Sequence, residues 1–195
     1  AKLISDFKSK YSNVEHVVYD AISESAAADA YEIRYGRRGL ADYDLSKAKT
    51  IVSIGADFLG DWQGGGFDAA YAEGRVPTNG AMSRHIQFES NMTLSGANAD
   101  KRIPLKPSQQ KLALARLYGK LTGTSANVTL PPAIETAIDR TAKELTKAGA
   151  NAVVMTGIQD VNAQGLVLEI NEFLKSKAFA PQQTILTRQG NSSSV

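Results

Sequence analysis

The stretch TIVSIGADFLGDWQGGG, Thr50 to Gly66, concentrates residue types from which binding sites are built. A β-branched apolar run stops at Gly55, Asp57 follows two positions later, and Trp62 and the consecutive Gly64, Gly65 and Gly66 come after it. The pattern reads as a buried parallel strand whose carboxyl end opens into a crevice, where ligands lie in open parallel sheets. It reads equally as a strand followed by a loop that binds nothing, because one fold hosts many functions. The glycines can form a nest of backbone N–H groups for an anion, or a hinge. Trp62 can stack on a planar ligand, anchor a partner or plug its own loop. Asp57, Asp61, Asp68, Glu89 and Asp100 can pair as acid and base or hold a hard cation, or serve as caps and solvated charges. Asn91, Thr93, Ser95 and Asn98 add hydroxyl and amide groups, but no nucleophile stands beside a base and no Ser-His-Asp motif occurs. Neither GxxxxGK(S/T) nor GxGxxG is present, so the local signatures of a P-loop and of a dinucleotide fingerprint are missing.

Composition narrows the chemistry further. The chain has 195 residues, which suits one α/β domain, and no cysteine, which removes disulfides, thiolate metal sites, iron–sulfur ligation and cysteine nucleophiles together. Its two histidines, His16 and His85, each stand in a strand-like run and argue against a histidine-rich metal site. A formal net charge of +2 with interspersed acids and bases is not the footprint of a nucleic-acid binder. No apolar run approaches the ~20 residues that span a bilayer, and AKLISDFK carries no signal-peptide pattern. The start without methionine and the polar end NSSSV lead to the expectation of a domain excised from a longer protein, a single unit over 1–190 with a disordered tail over 191–195.

The elements that must position these residues follow from local pattern. Leu3, Ile4 and Phe7 recur at helical spacing, EHVVYD at 15–20 reads as a strand, and Ser23 or Ser25 offers a cap for an alanine-rich helix ending at Gly36. The Arg37–Arg38 pair beyond that glycine can hold an anion or complement the helix dipole. Strands are expected at Thr50 to Ile54, Arg84 to Phe88, Asn151 to Met155 and Gln183 to Leu186, with an extended Arg102 to Leu105 imposed by Pro104. FDAAYAEG reads as a short helix, and SNMTLSGANAD as a polar segment lying along a surface or cleft. Three amphipathic helices are expected: one capped by Ser108, one entered through Pro131 and Pro132 and ended at Gly149, and one capped by Asp160. The alternation of strand and helix predicts an α/β fold: a three-layer, mostly parallel, Rossmann-like sheet with helices on both faces.

Several of these segments together resemble the central domains of molybdopterin oxidoreductases. GAD at 55–57 stands where that family has a Gly-Ala-Asn-like turn, ESN at 89–91 where it has Asp-Pro-Arg, and SGANAD, IPLKP and SQQ at 95–100, 103–107 and 108–110 follow in the family's order and spacing. Within the family the wording is closest to the molybdopterin-oxidoreductase-like, iron–sulfur B subunit of alternative complex III, a bacterial quinol-oxidising respiratory complex. The resemblance implies a crevice built around Gly55, Asp57, Glu89, Asn91 and Gln110, where members of the family hold molybdopterin guanine dinucleotide. The departures lie at those positions. Glu89 and Gln110 replace the two aspartates that hold the guanine edge, Asn91 replaces an arginine, and Asp57 brings negative charge toward a pyrophosphate. The family's metal-ligand position falls near Ser23 to Ser25, where no cysteine stands, although serine is a ligand in one branch. The expectation is therefore a scaffold without catalytic residues, metal or cofactor in this domain, the crevice being vestigial and either empty or filled by protein, with Trp62 and its loop as the candidates to fill it. The alternative is a domain that still binds molybdopterin guanine dinucleotide in a working oxidoreductase. Iron–sulfur clusters are implied elsewhere in the parent protein. The implied partners are other domains of that chain and subunits of a membrane respiratory complex at the periplasmic face of the cytoplasmic membrane.

Overall fold

A computed structural model describes residues 2–77 and 80–192. Helix α1 (Lys2–Lys10) buries none of its residues, and its apolar stripe of Leu3, Ile4 and Phe7 faces outward. The strand expected at 15–20 does not form, since that segment joins no sheet. β-branched residues make a segment compatible with a pleated surface, but a strand requires a partner's hydrogen bonds. The segment is tied instead to the far end of the chain: Gly190 N–H donates to Asp20 Oδ2 at 2.7 Å and Asn191 N–H to Val18 O at 2.9 Å.

Helix α2 (Ser25–Tyr35) starts after Glu24, whose side chain does not cap it, while Ser23 Oγ accepts from the Ser25 N–H at 3.1 Å, and it ends at Gly36 in a left-handed turn. Strand β1 (Leu40–Tyr43) occupies a stretch that carries no alternation. Then come β2 (Thr50–Ile54), α3 (Asp68–Arg75), β3 (Arg84–Glu89), the single-turn α4 (Leu94–Ala97) and β4 (Lys101–Pro104). Helix α5 (Pro107–Thr122) begins one residue before the expected Ser108 cap, because Pro107 takes the first helical position and Gln109 Oε1 accepts from Lys106 N–H at 2.9 Å. Helix α6 (Pro132–Ala148) enters through its prolines and leaves at Gly149. Strand β5 (Ala152–Thr156) is followed by α7 (Val161–Phe173), capped by Asp160 Oδ1 on Ala163 N–H at 2.9 Å. The last strand, β6 (Phe179–Ile185), starts earlier than the expected Gln183 because it pairs antiparallel with β1.

The other four strands make one parallel sheet in the order β4-β3-β2-β5. Successive strand residues point to opposite faces, and both faces carry buried apolar side chains. On one, Val52, Ile54 and Val154 pack with Leu114 and Leu117 of α5 and Ile138 and Leu145 of α6. On the other, Ile51, Val153 and Met155 pack with Tyr31 of α2, Tyr71 of α3, Phe58 and Trp62. The fold is thus α/β, a three-layer Rossmann-like arrangement with helices on both faces of a parallel sheet. Helix α7 closes the outer edge of β5: Asn171 Oδ1 accepts from Val154 N–H at 2.9 Å, and its Nδ2 donates to Val154 O at 2.7 Å. Among the described residues no helix is long and apolar enough to cross a membrane. In the tail, Ser192 N–H donates to Ser25 Oγ at 3.2 Å, and residues 193–195 lie outside the described residues.

Candidate functional site

Chain order and strand order diverge at β2: β3 and β4 extend the sheet to one side and β5 to the other. The carboxyl ends of β2 and β5 therefore flank the switch point, the position at which such sheets bind ligands. Here Gly55 turns with φ 74°, and its N–H donates to Phe88 O at 2.8 Å. Gly157 N–H donates to Ile54 O at 3.1 Å, and Gly157 lies so close to the Gly55 carbonyl that a Cβ would overlap it. The two strand-ending glycines thus permit backbone to lie on backbone. A Cβ on Gly55 would stand 2.9 Å from Gln110 Oε1, and Gln110 Nε2 donates to Ser90 Oγ at 2.8 Å. Gln110, from α5, therefore reaches Gly55, with its amide engaged by protein.

Asp57 folds back onto its own surroundings. Its Oδ1 accepts from Ser95 N–H at 2.8 Å, Ser95 Oγ accepts from Leu59 N–H at 2.9 Å, and the bare Gly60 leaves room for the second carboxylate oxygen. Glu89 is 1% exposed and lies at the carboxyl end of β3. Its carboxylate forms an ion pair with Arg102 of β4 and accepts from Thr93 Oγ1 at 2.6 Å and from Gln87 Nε2 at 3.4 Å. Gly96 packs directly against it, and a β-carbon there would coincide with the carboxylate. Asn91 sits outside this arrangement, exposed.

One face of β3 continues the polar chain inward. His85, Gln87 and Glu89 alternate with Ile86 and Phe88, so the three polar side chains share a face. Gln87 Nε2 donates to Ala56 O at 3.1 Å, which leaves Oε1 to accept from His85 Nε2 at 3.1 Å. That inventory assigns the imidazole proton to Nε2 and leaves Nδ1 facing, at 3.2 Å, the Tyr71 hydroxyl, whose proton is directed at Asn98 O at 3.1 Å. Burial holds the His85 pKa below the ordinary histidine value, outweighing its hydrogen bond to Gln87 and the nearby Asp100. Burial works to raise Asp100, but Arg75, at 2.8 and 3.0 Å, and the His85 backbone N–H, at 2.7 Å, hold it below the usual carboxylate range. Gln87, Arg102 and the Gly96 contact were not singled out from the sequence. The polar alternation His85, Gln87, Glu89 was a readable signal for the first, whereas the other two depend on long-range placement.

The remaining candidates are distributed separately. Trp62 is buried, donates from Nε1 to Thr156 O at 3.2 Å and packs on Tyr43 and Phe67, so it plugs its own loop. Gly64 and Gly65 give their N–H groups to Asp61 O and Trp62 O within the loop, which excludes those two donors from an anion nest. Asp61 pairs with Arg188 at 2.9 Å, and Asp68 occupies the first turn of α3. Near the position implied for a metal ligand, Ser25 Oγ is shared among Asp29, Arg38 and Ser192. The adjacent Glu24 is buried, accepts from Gln159 Nε2 at 2.7 Å, and has its pKa raised by desolvation. Arg37 donates to Pro181 O at 2.8 Å. Among the described residues, no three His, Cys, Asp or Glu are grouped to hold a metal ion. No family model matches this chain, and no curated protein matches it.

Proposed function

We propose that this domain is a structural scaffold in a molybdopterin-oxidoreductase-like subunit of a membrane respiratory electron-transfer complex, akin to the B subunit of alternative complex III, and that it does not hold the pterin. The reading starts from the aligned segments at 55–57, 89–91 and 95–110. What supports the loss of cofactor binding is that the groups corresponding to the guanine contacts are engaged by protein. Glu89 serves Arg102 and Thr93, Gln110 serves Ser90, and the Gly55 carbonyl lies against Gly157. Guanine held at these two groups would have to break the buried Glu89 ion pair and displace Gln110 from Ser90, which weighs against cofactor binding. Electron transfer then belongs to centres on other domains and subunits, since a chain without cysteine ligates no iron–sulfur cluster. The parent subunit, in this reading, works at the periplasmic face of the bacterial cytoplasmic membrane.

The decisive experiment is metal and pterin analysis of the whole parent subunit purified from its host. No stoichiometric molybdenum and no released pterin is the expected result, and their presence overturns the proposal. For the domain alone, guanine nucleotides are expected to leave the thermal unfolding midpoint unchanged, because a ligand that binds only the native state must raise it.

A further inference from the structure

We propose that a cationic groove at the amino-terminal end of the parallel sheet is a docking surface for an acidic polypeptide segment. It lies at the opposite end of the strands from the closed crevice and rests on charge distribution, independently of the function proposed above. Lys49 precedes β2, Arg84 and Lys101 open β3 and β4, and Arg140 and Lys147 project from α6. These five line two adjoining hollows of about 340 and 550 Å³ that share Arg84 and Glu144. Glu144 is the one carboxylate in the lining and pairs with Arg84 at 3.0 Å. Among the described residues, Lys49, Lys101, Arg140 and Lys147 form no ion pair, and all four are exposed.

Five cations and one carboxylate give the groove +4, whereas the chain as a whole carries +2, so everything outside it sums to −2. The charge is therefore segregated, and complementarity favours an anionic partner at this end. The lining identifies the kind of anion. The floor is made by small or aliphatic side chains, Ile103, Ala133 and Ala137, with no aromatic ring in either hollow on which a base can stack. Nor does a large exposed apolar side chain project from the lining to enter a bilayer. An extended peptide satisfies both chemistries, its carboxylates meeting the rim and its small apolar side chains the floor. Arg140 and Lys147 are seven residues apart on one helix, about 10 Å, and an extended segment covers that span in about three residues. Successive side chains of an extended segment point to opposite faces, so acidic residues at alternate positions face the groove and meet its cations.

The test uses a fluorescein-labelled poly-glutamate peptide and anisotropy at low and moderate salt. The pair Arg140→Glu/Lys147→Glu is compared with Lys8→Glu/Lys10→Glu on α1, which makes the same change in net charge elsewhere. The expected result is weakening of at least about tenfold for the groove pair and less than about twofold for the α1 pair. Equal losses from the two pairs, or no binding by the unaltered protein, overturn the proposal. So does tighter binding, dependent on the same groove residues, by a DNA duplex or a phosphatidylglycerol vesicle. If the reversed pair misfolds by circular dichroism, Arg140→Gln/Lys147→Gln gives the same comparison with a smaller expected loss.

Discussion

Glu89 and Gly96 depend on each other: the carboxylate occupies the space a side chain at 96 would need, and its partners Arg102 and Thr93 are positioned around it. Gly96→Ala is expected to cost about 3 kcal/mol, because it drives the carboxylate from its donors in a buried site. Added to Glu89→Ala, the same change should cost far less, and urea denaturation of the four-member cycle measures the difference. Additive losses would show that the two residues do not compete for this space. His85 carries a second prediction. Its folded pKa lies below the unfolded value, so the unfolded chain binds more protons between the two, and stability falls as pH drops below about 6.5. His85→Gln should reduce that slope, as read from urea midpoints across the acid range. At this scale the sequence was informative where a pattern was local, as in the placement of His85 in a strand, although the polar alternation of His85, Gln87 and Glu89 went unused. It was silent on Gly96, whose constraint comes from a carboxylate on another element.

Among the elements, the edge of β5 is closed by a side chain in place of a strand. Asn171 presents to Val154 the acceptor and donor that a neighbouring peptide group would, and it is fully buried. Asn171→Leu keeps the volume but leaves a strand N–H and C=O unpaired, and a loss of about 3 kcal/mol is expected in chemical denaturation. A near-neutral result would mean that water reaches this edge. The legibility of the elements divides along the same line between local and distant causes. Strands β2, β3 and β5 and helices α5 to α7 were readable because apolar periodicity, the stop at Gly149 and the N-cap at Asp160 act within one element. Strand β1 was not, since LADY has no alternation and its partner β6 lies at the other end of the chain. EHVVYD has strand composition without a partner, and Pro107 took the helix start from Ser108 through its fixed φ and the Gln109 bond to Lys106 N–H.

Over the whole molecule, the segment after β6 acts as a strap across the loops at the carboxyl end of the sheet. Thr187 Oγ1 donates to Gln63 O at 2.6 Å, Arg188 pairs with Asp61, and Gly190 and Asn191 reach back to Asp20 and Val18. A chain ending at Leu186 is expected to exchange the amides of 61–65 faster while those of β2 and β5 keep their protection, as hydrogen exchange would measure. Uniform loss of protection would make the strap a member of the global core. The three-layer architecture was legible from the alternation of strand and helix, but the strap was not, since a polar tail carries no pattern that points to its contacts. The backbone contact between Gly55 and Gly157 also supplies a key for reading other chains of this architecture. Position 157 has no room for a side chain while the two turns touch. A larger residue at position 157 must hold those turns apart, and so separate the carboxyl ends of β2 and β5.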